Sequence, residues 1–376
     1  MRKISLPAYE ASRCRLYALG RNAMYAACRA FGLKEGDEIL TPAFDCDGSL
    51  QPFRALGLKL KFYRSDPYTF EADTGDMEKR MGPSTRMVHV INHFGMPQPW
   101  GRIKGICGAL RVPVMEDCAY SLFSDGFGTN GDAAIFSLRK NLPMVDGGML
   151  RMNNGNFALG RQAERAPLFY RTESANVLTL IKSAMGYYKA PEGLRRILRK
   201  ANPAVEPPPP LYSEKEKGYP EWPLRDHTGE EFSCGYERPI SALARFQLEG
   251  LPEGYYKNAA ETKRRYYSEL AGKFAGLNGI RVLWPELPEG IVPFCLSVLI
   301  NRDRDRIFAE LRKKYDVMAW PTLSREVIDR LGEYPEVEIL GRKVLQFNLS
   351  ADKVMRRDYP QYIGRLADDF TALTVR

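Results

Sequence analysis

Long apolar runs are missing from this sequence. Nowhere do roughly 18 uncharged apolar residues follow one another, so no stretch reads as a membrane-spanning helix. The amino terminus carries Arg2 and Lys3 but meets Pro7 and Glu10 before any apolar segment, and no secretory signal is expected. Cysteine is scarce and unpaired: seven residues, at 14, 28, 46, 107, 118, 234 and 295, odd in number and without a C-x-x-C pair. That pattern argues against a disulfide frame or a zinc site, and for reduced thiols in a cytoplasmic protein. No internal repeat is visible, and low complexity is confined to the run Pro207–Pro210. A basic-aromatic stripe is absent too, so nucleic acid is not an expected partner.

What is present is ordinary globular composition. Of 376 residues, 44% are hydrophobic and 27% charged, which excludes a disordered or fibrous chain. The length exceeds what one core usually serves, so two domains, or a large α/β domain with a smaller companion, are expected, with a seam in the second half. The formal charge of +9 favours anionic partners without choosing among them. Residues 182–201 concentrate it, with Lys182, Lys189, Arg195, Arg196, Arg199 and Lys200 against Glu192. Leu194, Ile197 and Leu198 give this stretch one apolar edge. It reads as a solvated helix packed on its own domain, or as a peripheral contact with an anionic membrane surface.

Short β-type runs alternate with helical patterns through the first 152 residues: 38–40, 58–63, 87–92, 112–116, 133–137 and 149–152. Alternation of this kind implies crossover units and a mainly parallel sheet, whose ligand lies beyond the carboxyl ends of the strands. The residues to inspect are therefore Thr41–Phe44, Asn92–Gly95, Glu116-Asp117 and Ser137–Lys140. A composition break at 202–218 contains the proline run and reads as a loop or rigid spacer. Helical patterns resume at 240–248 and 255–270, and strand-like pieces at 280–283 and 294–300 flank a helix at 304–314, as in a smaller α+β domain.

Three constellations could carry chemistry. Lys140 follows a buried strand with Gly147-Gly148 beyond it; desolvation there would lower its pKa and suit an imine-forming amine, while solvated loop charges and a hairpin turn are the plainer alternative. Glu116 and Asp117 are adjacent on a strand, so they face opposite sides and have different jobs. Asp117 could bond a cofactor's ring nitrogen or cap the next helix. Leu19-Gly20-Arg21-Asn22-Ala23 opens a helix, and a helix amino terminus is a phosphate site. His89 and His227 read as a strand and a loop residue.

Taken in order, these motifs resemble the DegT-type (DegT/DnrJ/StrS) sugar-nucleotide aminotransferases, pyridoxal-phosphate (PLP) enzymes of fold type I. The resemblance is carried by Pro42–Ser49, Gly57–Asp66, His93-Phe94-Gly95-Met96-Pro97, Glu116–Tyr120, Gly131–Ser137, Lys140–Gly148 and Gly235–Ser241 with Ala244. It implies an α/β fold with a mainly parallel, mixed seven-stranded sheet in a domain of residues 1–250, with an insertion over about 160–230 that contains the basic stretch and the proline run, and a small α+β domain of residues 251–376. It implies that Lys140 forms the internal aldimine and shuttles a proton, that Asp117 keeps the pyridine nitrogen protonated, and that Ser137 with the Gly20, Arg21, Asn22 and Ala23 backbone holds the phosphate. Tyr120 replaces a glutamine and would donate to the ring hydroxyl. Cys46 takes the place of a stacking aromatic, with Phe44 or His93 as substitutes. Arg238 would lie near the site, reaching across a homodimer. Tyr236 replaces an asparagine and Asp146 a glutamate.

The activity implied is transfer of an amino group, from glutamate, onto a keto sugar nucleotide, with cell-envelope polysaccharide as the destination. Lysine rather than histidine at position 140 separates the sequence from the family's sugar 3-dehydratases. A PLP enzyme acting on another, lipid-linked carbonyl with residues 160–215 as a membrane-facing lid, and a non-catalytic dimeric scaffold, stand as alternatives.

Overall fold

The computed structural model describes residue 6 and residues 8–160, 166–170, 236–319 and 323–374. The expected basic helix at 182–201, the proline run, His227, Cys234 and Gly235 lie outside the described residues. Among the described residues no helix is long and apolar enough to cross a membrane.

The first half builds one sheet from strands β1 (Cys14–Tyr17), β2 (Glu38–Pro42), β3 (Lys59–Tyr63), β4 (Thr85–Ile91), β5 (Val114–Asp117), β6 (Ala133–Ser137) and β7 (Gly148–Met152). Their spatial order is β1-β7-β6-β5-β4-β2-β3. The pairs from β3 through β6 are parallel, and β7 runs antiparallel to both β6 and β1, so the expected mainly parallel, mixed seven-stranded sheet is found. Helices α1 (Gly20–Ala30), α2 (Asp47–Ala55), α3 (Thr74–Arg80), α4 (Trp100–Ala109) and the short α5 (Leu138–Asn141) connect the strands. The central strands read as apolar runs because both of their faces are covered. On β4 the alternation splits cleanly: Val88 and Val90 join Leu40, Ile103 and Val114 in one core, whereas Met87 joins Ala23, Phe53 and Met115 in another. His89 shares the face of Met87 and is wholly buried.

After the segment 236–241, helices α6 (Ala242–Glu249) and α7 (Tyr255–Phe274) lead into a second, antiparallel sheet. Its strands β8 (Ile280–Val282), β9 (Cys295–Ile300), β10 (Val317–Met318) and β11 (Val344–Asn348) lie in the order β10-β11-β9-β8. Helices α8 (Arg304–Leu311), α9 (Arg325–Ile328), α10 (Pro335–Lys343), α11 (Ala351–Val354) and α12 (Tyr359–Thr374) pack around it. In α7 the buried residues Ala259, Lys263, Tyr266, Tyr267, Leu270, Ala271 and Phe274 recur at the three- and four-residue spacing of one helical face. One core runs through both regions, from Leu16 and Phe136 to Leu296, Phe347 and Phe370.

Candidate active site

Five chain segments meet at the carboxyl ends of the parallel strands. The first is the amino terminus of α1. Its position is set by glycine: β7 crosses the Leu19–Gly20 peptide so closely that a Cβ on Gly148 would lie 2.2 Å from the Leu19 carbonyl carbon and 2.5 Å from the Gly20 nitrogen. Gly147, at φ +146°, donates its N–H to the Ala18 carbonyl. The Gly-Gly pair therefore serves a close approach of two backbones and not the hairpin turn allowed by the local pattern. A Cβ on Gly20 would meet Ser137 Cβ at 3.4 Å, so the Ser137 side chain lies directly beside the first turn of α1. Asn22 turns back, accepting from Leu19 N at 3.1 Å and donating to the Tyr236 carbonyl at 2.7 Å. Ala23 N–H is already bonded to Leu19 O, which leaves the earlier N–H groups of the turn beyond the reach of intrahelical acceptors.

Ser137 ends β6 and is the N-cap position of α5, whose third residue is Lys140. Lys140 is open to solvent inside a protein-dense cleft. Its Nζ donates to the Tyr120 hydroxyl at 3.0 Å and stands 4.2 Å from the centre of that ring. Burial works to lower the lysine pKa, but the Tyr120 phenol, Cys46 and Asp117 outweigh it and hold the ammonium above its ordinary value. This corrects the expectation of a lowered value: a strand-end lysine is desolvated, yet here it also gains an acceptor. Burial raises the Tyr120 phenol, with the Lys140 cation opposing it.

The adjacent carboxylates do have separate jobs. Glu116 is wholly buried and accepts from Asn92 Nδ2, Gly128 N, Asn130 N and Gly131 N at 2.8 to 3.3 Å, tying down the loop before β6. Asp117 closes β5, with Oδ1 accepting from Ala119 N at 2.7 Å and Oδ2 lying 3.5 Å from His89 Nε2. It is thus both a local turn acceptor and a carboxylate at the strand end.

The fourth segment follows β2. Asp45 is 2% exposed, accepts from Cys46 N at 2.6 Å, and is pushed up to about 6 by burial, with His89 opposing. Burial and then Asp45 raise the Cys46 thiol, while Lys140 and Arg21 pull it down. Of the three candidates for ring stacking, Phe44 and His93 are buried in the cleft wall and Cys46 is half-exposed. His93 donates from Nε2 to the Phe44 carbonyl at 2.7 Å, and burial lowers it to about 4. Phe94, at φ +56°, sits in the strained turn beyond His93 and packs on Tyr120 at 5.7 Å.

The fifth segment returns after residue 235. Ala18 N donates to the Arg238 carbonyl, Tyr236 stacks on Tyr25 at 4.4 Å, and the Arg238 guanidinium lies 5.0 Å from the Tyr170 ring. Asp146 is wholly buried and accepts from Ser241 N at 3.1 Å, which anchors the start of α6 beside this segment. Arg21 reaches away from the first turn, donating to Gln51 Oε1 at 2.8 Å.

Residues 17–165 match the DegT/DnrJ/EryC1/StrS aminotransferase family. Among curated relatives, GDP-perosamine synthase of Escherichia coli O157:H7 is 28% identical over 141 residues, 36% of this chain and 39% of that protein. UDP-2-acetamido-2-deoxy-3-oxo-D-glucuronate aminotransferase of Pseudomonas aeruginosa is 29% identical over 111 residues, 30% of this chain and 31% of that protein. The aligned stretch thus spans less than half the length of either relative. Among solved structures, NtdA of Bacillus subtilis with bound cofactor PMP superposes at a TM-score of 0.64 and 15% identity, covering 96% of this chain and 73% of that one. A likeness of that kind speaks for the fold, which is the fold type I architecture expected from the motifs.

Two residues of the cleft escaped sequence reasoning. His89 reads as a plain strand residue and Asp45 as part of a motif; the available signal was a polar side chain inside the otherwise apolar run of β4 and another in the buried turn that follows β2.

Proposed function

We propose that the protein is a PLP-dependent aminotransferase moving an amino group from glutamate onto a keto sugar nucleotide, and that it works as a cytoplasmic homodimer. The observation that carries this reading is the convergence of an amine, a strand-end carboxylate and a helix amino terminus: Lys140 against Tyr120, Asp117 closing β5, and α1 opening beside Ser137. The residues fit the cofactor. The α1 first turn and Ser137 suit a phosphate, and the Gly148 crossing would admit no side chain at that cup. Asp117, 5% exposed at the strand end, suits a protonated ring nitrogen.

PLP, when bound, supplies the electron sink that makes the substrate carbon acidic. The chain's own residues do the rest. Lys140 Nζ holds and delivers the proton at the reacting carbon, and the Tyr120 hydroxyl accepts from that nitrogen and so steers it. The Asp117 carboxylate holds the proton on the ring nitrogen. The first-turn N–H groups of Gly20, Arg21 and Asn22 and the Ser137 hydroxyl would hold the phosphate, and Cys46, whose thiol feels the charges of Lys140 and Arg21, would lie in the wall of the ring site. Arg238, tied to Ala18 through its backbone carbonyl, lies next to the phosphate loop and would reach the site across the homodimer. We place the seam between large and small domains at 250/251, between α6 and α7.

Incubation with PLP, glutamate labelled with nitrogen-15, and a panel of 3-keto and 4-keto sugar nucleotides tests the reading. Labelled amino sugar nucleotide and 2-oxoglutarate in equal amounts are expected; oxidation or dehydration of the sugar without nitrogen transfer contradicts it.

A further inference from the structure

A row of buried polar side chains crosses the sheet beneath the strand ends. His89 on β4 and Asp117 on β5 lie on one face of the sheet, since His89 pairs with Met115 and Ile91 with Asp117 in register. Thr41 at the end of β2 completes the row, its Oγ1 3.0 Å from His89 Nδ1. Thr41 and His89 are 0% exposed and Asp117 5%. The Phe53 ring stands edge-on to the imidazole at 5.3 Å, the Asp45 carboxyl and His93 are its electrostatic neighbours, and Tyr63 donates its hydroxyl to the His89 backbone carbonyl at 3.0 Å.

A carboxylate that must hold one proton on a ring nitrogen needs a fixed orientation. Asp117 has two oxygens, and Oδ1 is already used by Ala119 N. The group that faces Oδ2 is His89 Nε2, at 3.5 Å. A nitrogen at that distance orients the carboxylate only if the ring itself cannot swing; the Thr41 contact at Nδ1 and the Phe53 edge hold the ring, and the Tyr63 bond to the His89 carbonyl fixes the strand that carries it.

We propose that His89 is a positioning residue for Asp117: the Thr41–His89–Asp117 row sets the orientation of the carboxylate toward a protonated aromatic nitrogen, and so sets the protein's selection for a pyridine ring over a carbocyclic one. The proposal rests on the reading of Asp117 as the cofactor carboxylate. It assigns a function to a histidine that the strand pattern alone makes an ordinary core residue. Asp45 is the second carboxyl in electrostatic contact with His89, from the β2 side.

The test compares binding of PLP with binding of its 1-deaza analogue, in which the ring nitrogen is replaced by a CH group, by absorbance or fluorescence titration of apoprotein. Wild type is expected to prefer PLP by tenfold or more. In His89→Leu that preference shrinks about tenfold, the equivalent of one oriented, charge-assisted contact. His89→Gln, which can still present an N–H to Asp117, restores most of it, and Thr41→Val, which frees Nδ1 but keeps the ring, reduces it in part. Thermal melting of each apo variant accompanies the titration, and if His89→Leu melts far below wild type, Thr41→Val and His89→Gln carry the comparison. A wild type that prefers PLP, with every variant sharing the preference, overturns this proposal alone. A wild type that binds both compounds equally overturns the reading of Asp117 and this proposal with it.

Discussion

Lys140 and Tyr120 form one unit: the lysine Nζ donates to the tyrosine hydroxyl at 3.0 Å and stands 4.2 Å from the centre of the same ring. A hydrogen bond and a cation-π contact to one side chain hold the ammonium in place and help keep it charged. Removing the hydroxyl should release it. Tyr120→Phe is expected to lower the Lys140 pKa, measured as the pH dependence of its reductive methylation in the apoprotein; an unchanged value would mean that Cys46 and Asp117 set it instead.

The neighbouring carboxylates should fail differently. Glu116→Gln turns an amide donor toward backbone N–H groups that now share one carboxylate, and is expected to cost about 2–4 kcal/mol in urea unfolding. Asp117→Asn, at the edge of the cleft, should leave stability within about 1 kcal/mol while lowering transamination at least about a hundredfold. Equal losses of stability in both variants would contradict the division of labour.

Two buried groups in the cleft wall have opposite linkages to pH. His93, lowered to about 4, stays neutral in the fold while the unfolded chain takes up a proton near 6.5, so its contribution is present above that pH and is lost as pH falls toward 4. Asp45, pushed up to about 6, contributes below the ordinary carboxylate pKa and loses that contribution as pH rises through 6. Between about pH 4 and 6 the two largely cancel. Asp45→Asn should therefore expose a loss of roughly 2–3 kcal/mol on going from pH 7 to 4.5, and His93→Gln the opposite trend. Parallel pH profiles in the two variants would contradict these assignments.

Glycine at the β7 crossing is a matter of space. Gly148→Ala puts a methyl against the Leu19 carbonyl carbon and should cost about 3 kcal/mol or more, measured by thermal unfolding. Gly20→Ala meets only ordinary contact with Ser137 and should change stability by less than about 1 kcal/mol. Comparable costs would mean that the crossing relaxes.

Much of this architecture could be read from the chain because the parallel strands are covered on both faces and so appear as unbroken apolar runs, as in Ala133–Ser137. β1 was not legible: Cys14–Tyr17 is four residues with Arg15 inside, and it becomes a strand only by pairing with β7, far along the chain. β11 was hidden by its direct continuation from α10, without a turn residue between them. In the cleft, the residues fixed by local pattern were visible, namely Lys140 after a strand, Asp117 at a strand end and Gly20 at a helix start. The direction of the Lys140 pKa was not, because Tyr120 lies twenty residues away and reaches the amine only in the fold. His89 escaped for the same reason, since strand register brings Thr41 and Asp117 to it.

The chemistry of the cleft turns on Lys140 as the amine that would bind the cofactor. Borohydride reduction of the protein after incubation with PLP, followed by peptide mass mapping, tests this directly. A single pyridoxyl adduct on Lys140, absent from Lys140→Ala, is the predicted result; an unmodified Lys140 peptide, or adducts spread over surface lysines and unchanged in that variant, would contradict it.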